Sequence, residues 1–179
     1  MKNIIIRKVK SEDAEQYIKL GNLVWRIAYR HIFPEEVFMD RESKEQVKIK
    51  EFDNYHYNNE KRMVYVAEEN SKIVGFVLGR LDSGYPYYDE KGFADLESLY
   101  IHPDYQGYGI ATTFKNMFEN WAKEKGSTKY VIGVLKENHN ARKVYEKWGG
   151  KLDEYTQPFV KLGIGYDEVF YTYDLEREQ

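Results

Sequence analysis

The chain has 179 residues, 42% of them hydrophobic and 32% charged, with a formal net charge of -3 and no cysteine. That is the balance of one folded domain able to bury its own core. It excludes disulfides, thiolate metal sites and a cysteine nucleophile, and lacks the basic field that nucleic-acid binding asks for. No apolar run approaches the ~20 residues of a membrane-spanning helix. The basic start, Met1-Lys2-Asn3-Ile4, leads into no small-residue cleavage site, so the expected setting is cytoplasmic, without membrane or nucleic-acid partners.

Residues 4–9 read as a strand, and Ser11-Glu12-Asp13 then offers an N-cap and first-turn acids for a helix running to about Arg30. Pro34-Glu35-Glu36 opens a second helical region, broken into pieces, that continues to about Asn59. Residues 63–68 and 72–81 predict two antiparallel strands joined by the short polar turn Glu69-Asn70-Ser71. Residues 93–101 form the next strand. After His102-Pro103-Asp104-Tyr105 a helix is predicted from about Gly107 to Lys125, with Phe114, Met117, Phe118 and Trp121 on one face and Gly126 as its stop. Residues 130–134 read as a buried strand, 138–147 as a short helix, and 151–156 and 167–174 as the last two strands. Nothing in the order suggests a linker or repeat, so one domain over residues 1–179 is expected.

The stretch Gln106-Gly107-Tyr108-Gly109-Ile110-Ala111 leaves a strand and opens a helix. Such a turn presents unpaired backbone N–H groups at the positive end of a helix dipole, and a phosphate binds there without a basic side chain. Glycine lets the ligand approach the main chain closely. A P-loop would need Lys and then Ser or Thr after the last glycine, where this chain has Ile110-Ala111. A dinucleotide-binding turn would need Gly or Ala at the position of Thr112 and would sit in an N-terminal βαβ unit.

The remaining pattern, Gln106-x-x-Gly109-x-Ala111, resembles the acetyl-CoA pyrophosphate loop of the GNAT N-acetyltransferase superfamily. A second segment, Asn138-x-x-Ala141-x-x-x-Tyr145-x-x-x-Gly149-Gly150, is similar to the family's downstream signature, with Gly150 where Phe is usual. Trp25-x-x-x-Tyr29-x-x-x-x-Pro34 resembles the first-helix pattern of the polyamine acetyltransferase branch. The resemblance is most specific over residues 93–152.

The resemblance implies an α+β fold of three layers: a mixed, mostly antiparallel central sheet, splayed between its fourth and fifth strands, with flanking helices. It implies that acetyl-CoA, the acyl-donor substrate, lies in the splay. Backbone groups of Leu99, Tyr100 and Ile101 would hold the pantetheine arm, and Gln106, Gly107, Tyr108, Gly109, Ile110 and Ala111 the pyrophosphate. Asn138 either touches CoA or caps its helix.

Attack on the thioester needs a neutral amine, whereas a free alkylammonium has a pKa near ~10.4. Asp95 and Glu97, on one strand face by alternation, are the candidate bases. Asp95 ranks first because it matches the position of a catalytic Glu in some family members, and both are otherwise solvated strand carboxylates. The family pattern makes Tyr145 the phenol that protonates the leaving thiolate, its alternative being a core-edge tyrosine. The four histidines show no ligand spacing, so no metal is expected.

Acidic residues near Tyr85, Tyr87 and Tyr88 suit a cationic amine through Coulomb attraction and cation–π contact. A small polyamine-like acceptor follows, with Trp25, Tyr29, Tyr85 and Tyr87 as substrate-binding candidates, although Trp25 also reads as core. The rivals are a protein or peptide amine, an aminoglycoside, a non-catalytic acyl-CoA sensor on the same fold, and a structural protein. Dimers are common in the family, which allows a homodimer.

Overall fold

In the computed structural model, which describes residues 2–176, seven strands form one sheet in the order β1-β2-β3-β4-β5-β7-β6. Strand β1 (Ile5–Lys8) pairs antiparallel with β2 (Arg62–Glu69), β2 with β3 (Lys72–Arg80), and β3 with β4 (Ala94–Ile101). Asn70 and Ser71 turn β2 into β3 at φ 51 and 63, the left-handed conformation that lets a tight turn follow the twist of its strands.

Between β1 and β2 run three α-helices, α1 (Ala14–Tyr29), α2 (Glu35–Ser43) and α3 (Glu45–Lys50), with a 3-10 turn (Ser11–Asp13) before them and a π-helical turn (Asp53–Tyr57) after them. Helix α1 buries Tyr17, Ile18, Leu20 and Val24 on one face of the sheet, against Val64, Val66, Phe76 and Leu78. Ser11 does not cap it. The hydroxyl donates to Asp53 at 2.7 Å, and Asp13 instead pairs with Arg7 at 2.7 Å and accepts from Lys10 N at 2.8 Å. On the opposite face lies α5 (Ile110–Glu124), whose Phe114, Phe118 and Ala122 are fully buried. It starts later than the pattern predicts because Gly107 and Gly109 hold φ 81 and 79, outside the helical region. Gly126, at φ 86, ends it as expected.

Two elements escape the sequence pattern. A short helix, α4 (Pro86–Asp89), forms before β4. The last two strands are also much longer than read: β6 (Lys151–Lys161) and β7 (Ile164–Asp174) make one hairpin, turning at Leu162 and Gly163. Pro158 and the Gly163-x-Gly165 spacing look like breaks, but β6 is a sheet edge, where proline costs no ladder bond. Strand β5 (Lys129–Leu135) pairs antiparallel with β7, and α6 (His139–Lys147) follows β5.

Candidate acyl-transfer site

Strands β4 and β5 run parallel but pair only at Ala94↔Tyr130 and Asp95↔Val131. Beyond those two positions the sheet opens into a V, while β4 stays paired with β3 as far as Ile101. In an antiparallel ladder neighbouring residues turn their N–H and C=O groups to opposite sides. His102 N donates to Val74 O at 2.8 Å, so His102 and Tyr100 face β3. Leu99 and Ile101 therefore turn their polar groups to the open V, and Tyr100, expected to share that role, is committed to β3 through its main chain.

The register of β4 slips by one residue between Leu96 and Ser98, opposite Gly79 and Leu78. This bulge at Glu97 switches the strand's phase. Leu96, Leu99 and Ile101 pack on the α5 side, while Asp95, Glu97 and Tyr100 all point to the α1 side. Without the extra residue, Tyr100 would sit opposite the two carboxylates rather than beside them.

At the mouth of the V the chain passes Gly107 and Gly109 into α5. Among the described residues, the N–H groups of residues 107–112 have no acceptor, and the first inward bond is Thr113 N to Gly109 O at 3.0 Å. Gln106 turns back so that Nε2 donates to Ile101 O at 3.4 Å. Tyr108 is 57% exposed, and the Lys2 ammonium lies 4.7 Å from its ring. A run of free amides at a helix N-terminus fits a pyrophosphate, and the free edge of β4 fits an amide-bearing arm. These residues suit acetyl-CoA, which would supply the acetyl thioester.

Tyr145 projects from α6 toward this V. Its hydroxyl makes no hydrogen bond among the described residues, its carbonyl accepts from Tyr173 Oη at 2.9 Å, and its ring meets Tyr171 at 5.9 Å. Burial, then the neighbouring Tyr100 and Tyr173, push the phenol above its ordinary pKa, so it carries its proton at neutral pH. Asn138 Oδ1 accepts from Ala141 N at 3.2 Å and caps α6.

Asp95 lies at the apex of the V and is only 1% exposed. Its Oδ2 accepts from Gly84 N at 3.1 Å and Ser83 Oγ at 3.3 Å, while Oδ1 has no partner among the described residues. Burial pushes its pKa up to about 7, Gly84 N–H opposes the rise and Glu97 adds to it. Glu97 is differently placed: Arg80 Nη1 lies 3.0 Å from Oε2, and the Tyr55 hydroxyl donates to both oxygens at 2.9 and 3.0 Å. Burial and Glu97 together push that phenol up to about 12.

A third carboxylate, Glu168, was not singled out by the sequence pattern. It is 5% exposed on β7 and accepts from Tyr85 Oη at 2.9 Å and Gln157 Nε2 at 3.0 Å. Burial raises its pKa. The available signal was a lone charge alternating with Tyr166 and Phe170 on one strand face. Tyr85 belongs to this group through that bond, and its pKa is raised by burial and by the charges of Glu168, Asp95 and Glu97.

The other substrate-binding candidates divide. Tyr29 stands beside Tyr100, Tyr145 and Glu168, each of which, after burial, raises its pKa. Trp25 is 5% exposed, stacked on Phe33 at 4.9 Å, and so backs the wall rather than facing the cleft. Tyr87 is turned away. Its ring stacks on Tyr155 at 3.9 Å with Lys91 Nζ at 3.4 Å from its centre, because successive residues of α4 point in different directions. Among the described residues no cluster of three metal-ligating side chains exists, and no helix is long and apolar enough to cross a membrane.

The model of the Acetyltransferase (GNAT) family matches residues 25–150. The chain is 34% identical over 108 residues, 59% of this chain and 67% of the relative, to an acetyltransferase of Yersinia pestis (strain Pestoides F). Its fold is similar to that of the PaiA N-acetyltransferase from Thermoplasma acidophilum in complex with coenzyme A, with a TM-score of 0.71 and 23% identity over 93% of this chain and 98% of that one. It is also similar to an N-acetyltransferase from Staphylococcus aureus Mu50, with a TM-score of 0.63 and 25% identity over 97% and 99% of the two chains.

Proposed function

The chain belongs to the GNAT acetyltransferase family, and on that premise we propose that it transfers the acetyl group of acetyl-CoA directly to a primary amine bound beside Tyr85. The observation that carries this reading is the shared apex of the V. Asp95 is buried at that apex, the free edge of β4 leads from it to free amides at the mouth, and Tyr145, whose hydroxyl makes no hydrogen bond among the described residues, stands near Tyr100 of the same strand.

The residues divide the work. The N–H groups from Gly107 to Ala111 hold the pyrophosphate, and Leu99 and Ile101 hold the pantetheine arm and orient the thioester. Asp95, Glu97 and Glu168 draw in the acceptor as an ammonium. Asp95, poised near neutrality, takes the proton that must leave before the nitrogen can attack. As the C–N bond forms and the C–S bond breaks, Tyr145 gives its proton to the departing sulfur. The second nitrogen proton then returns to the phenolate.

The acidity of this end supports an acceptor that arrives as an ammonium, a small amine having a protein or peptide amine as its rival. The test is CoA release from acetyl-CoA across amines and peptides, with acetyl-CoA binding measured by calorimetry. Turnover that collapses in Tyr145→Phe while acetyl-CoA still binds supports the assignment. Binding without turnover of any acceptor would favour a sensor, and no binding would overturn the proposal.

A further inference from the structure

A group of cationic side chains gathers around the Trp25 and Phe159 rings. Arg41 of α2, Lys48 of α3 and Lys161 at the end of β6 are half-buried, yet their side chains make no ion pair or hydrogen bond among the described residues. The Arg41 Nε is buried and unpartnered. Lys44 joins the group but is already paired with Asp40 at 2.7 Å. Burial and the charges of Arg41, Lys161 and Lys44 bring Lys48 down to about 8, and burial, Arg41 and Lys44 lower Lys161 in the same way. The cations thus lie within electrostatic reach of one another.

They also share one aromatic wall. The Arg41 guanidinium lies 4.7 Å from the Trp25 ring, Trp25 stacks on Phe33 at 4.9 Å, Phe33 lies 6.1 Å from Phe159, and Lys161 Nζ is 4.7 Å from the Phe159 ring. The opposite border of this wall is Tyr29, Tyr100 and Leu135, and Leu135 is the register partner of Glu168. Arg41 and Glu97 both act electrostatically on Tyr100, with opposite signs. The aromatic cluster thus adjoins Glu168 through Leu135 and the cations through Trp25 and Phe159.

Half-buried cations in excess of their counter-charge are unfavourable. Asp40 favours the charged form of both lysines but is paired with Lys44, and the other nearby acids are engaged too: Glu35 and Glu42 with Arg26, and Glu45 with Asn22. A bound anionic oxygen group relieves that cost, and a guanidinium flanked by two ammoniums suits a carboxylate or a phosphate. A second ammonium, as in a polyamine, meets like charge here. Resting on the acetyl-transfer reading, we infer that the acceptor is a small amine carrying a carboxylate or phosphate at its far end, with Arg41, Lys48 and Lys161 binding that group. This departs from the polyamine-like acceptor.

The experiment compares matched acceptors under steady-state conditions: 4-aminobutyrate against putrescine and butylamine, amino acids against their amides, and phosphoethanolamine against ethanolamine. The first two sets test a carboxylate and the third a phosphate. We expect the anionic member of at least one set to have the highest kcat/KM. In Arg41→Gln, Lys48→Gln and Lys161→Gln, its preference over the uncharged partner should fall about tenfold or more, through KM rather than kcat. Melting temperature and acetyl-CoA binding show that each variant is folded, and the two lysine variants carry the test if Arg41→Gln is not. Turnover of putrescine or uncharged amines as good as that of every anionic partner, or variants that leave the preference unchanged, would overturn the inference while acetyl transfer stands. Failure of acetyl-CoA to bind at all would instead overturn the reading on which it rests.

Discussion

The Tyr85 hydroxyl donates to Glu168 Oε1 at 2.9 Å, linking residues 83 positions apart across the bare backbone of Gly133. A Cβ at Gly133 would stand 2.3 Å from the Tyr85 oxygen and 2.7 Å from its ring carbon. Gly133→Ala must therefore push Tyr85 aside and break its bond to Glu168. Urea unfolding should show a loss of about 1–3 kcal/mol, the usual cost of overpacking, and KM for the amine should rise while acetyl-CoA binding holds. Unchanged kinetics in a folded variant would mean that Tyr85 plays no part in acceptor binding.

Removing the Tyr145 hydroxyl tests the proton donor. In Tyr145→Phe, kcat should drop on the order of 100-fold or more, the usual range for losing a positioned acid. Because the hydroxyl holds no partner among the described residues, stability should change by less than ~1 kcal/mol. A kcat within about twofold of wild type would remove Tyr145 from the chemistry.

The loop makes a separate prediction about binding. Gly109 sits at φ 79 with open space where a side chain would project, so the penalty for Gly109→Val is conformational, on the order of 1–2 kcal/mol. The variant should fold, melt at a lower temperature and bind acetyl-CoA at least about tenfold more weakly. Calorimetry showing full affinity would place the pyrophosphate elsewhere.

Asp95 ties activity and stability to pH with opposite signs. Its pKa rises from 3.8 to about 7 on folding, so its contribution to stability is fully present below pH 3.8 and is lost as pH rises through about 7. At about 1.4 kcal/mol per pH unit the difference is on the order of 4 kcal/mol. His56 works the other way, since burial between Phe52 and Tyr17 lowers it to about 4 and its contribution fades as pH falls below about 6.5. The two windows overlap, so the measurement is denaturation of Asp95→Asn beside wild type from pH 4 to 8, where the variant should gain relative stability toward high pH. Acetyl transfer by wild type should rise through pH 7 as Asp95 ionises, and that rise should disappear in the variant.

Much of this molecule is legible in local pattern. Phe114 and Phe118, one helical turn apart, predict the buried face of α5, and the glycines at 107 and 109 predict a turn that opens a helix N-terminus, because each signal needs only near neighbours. The hairpin of β6 and β7 was cut short for the same reason in reverse. Pro158 reads locally as a break, and only its place on a sheet edge makes it harmless.

By itself the sequence determined the strand-to-helix order, the glycine-rich turn that opens α5, and the position of Asp95 on the strand leading into that turn. Local propensity and spacing carry all three, and resemblance to a family motif singled out Tyr145. Tertiary structure alone decided which polar groups meet: that Glu97 is matched to Arg80 and Tyr55, that Tyr87 is spent on Tyr155, that Glu168 joins Tyr85, and that Arg41 and Lys161 reach rings of one aromatic cluster. These encounters depend on sheet order, on the one-residue bulge at Glu97 and on burial. Charge pairing is set by distances of a few ångströms between residues far apart in the chain, which no periodicity records.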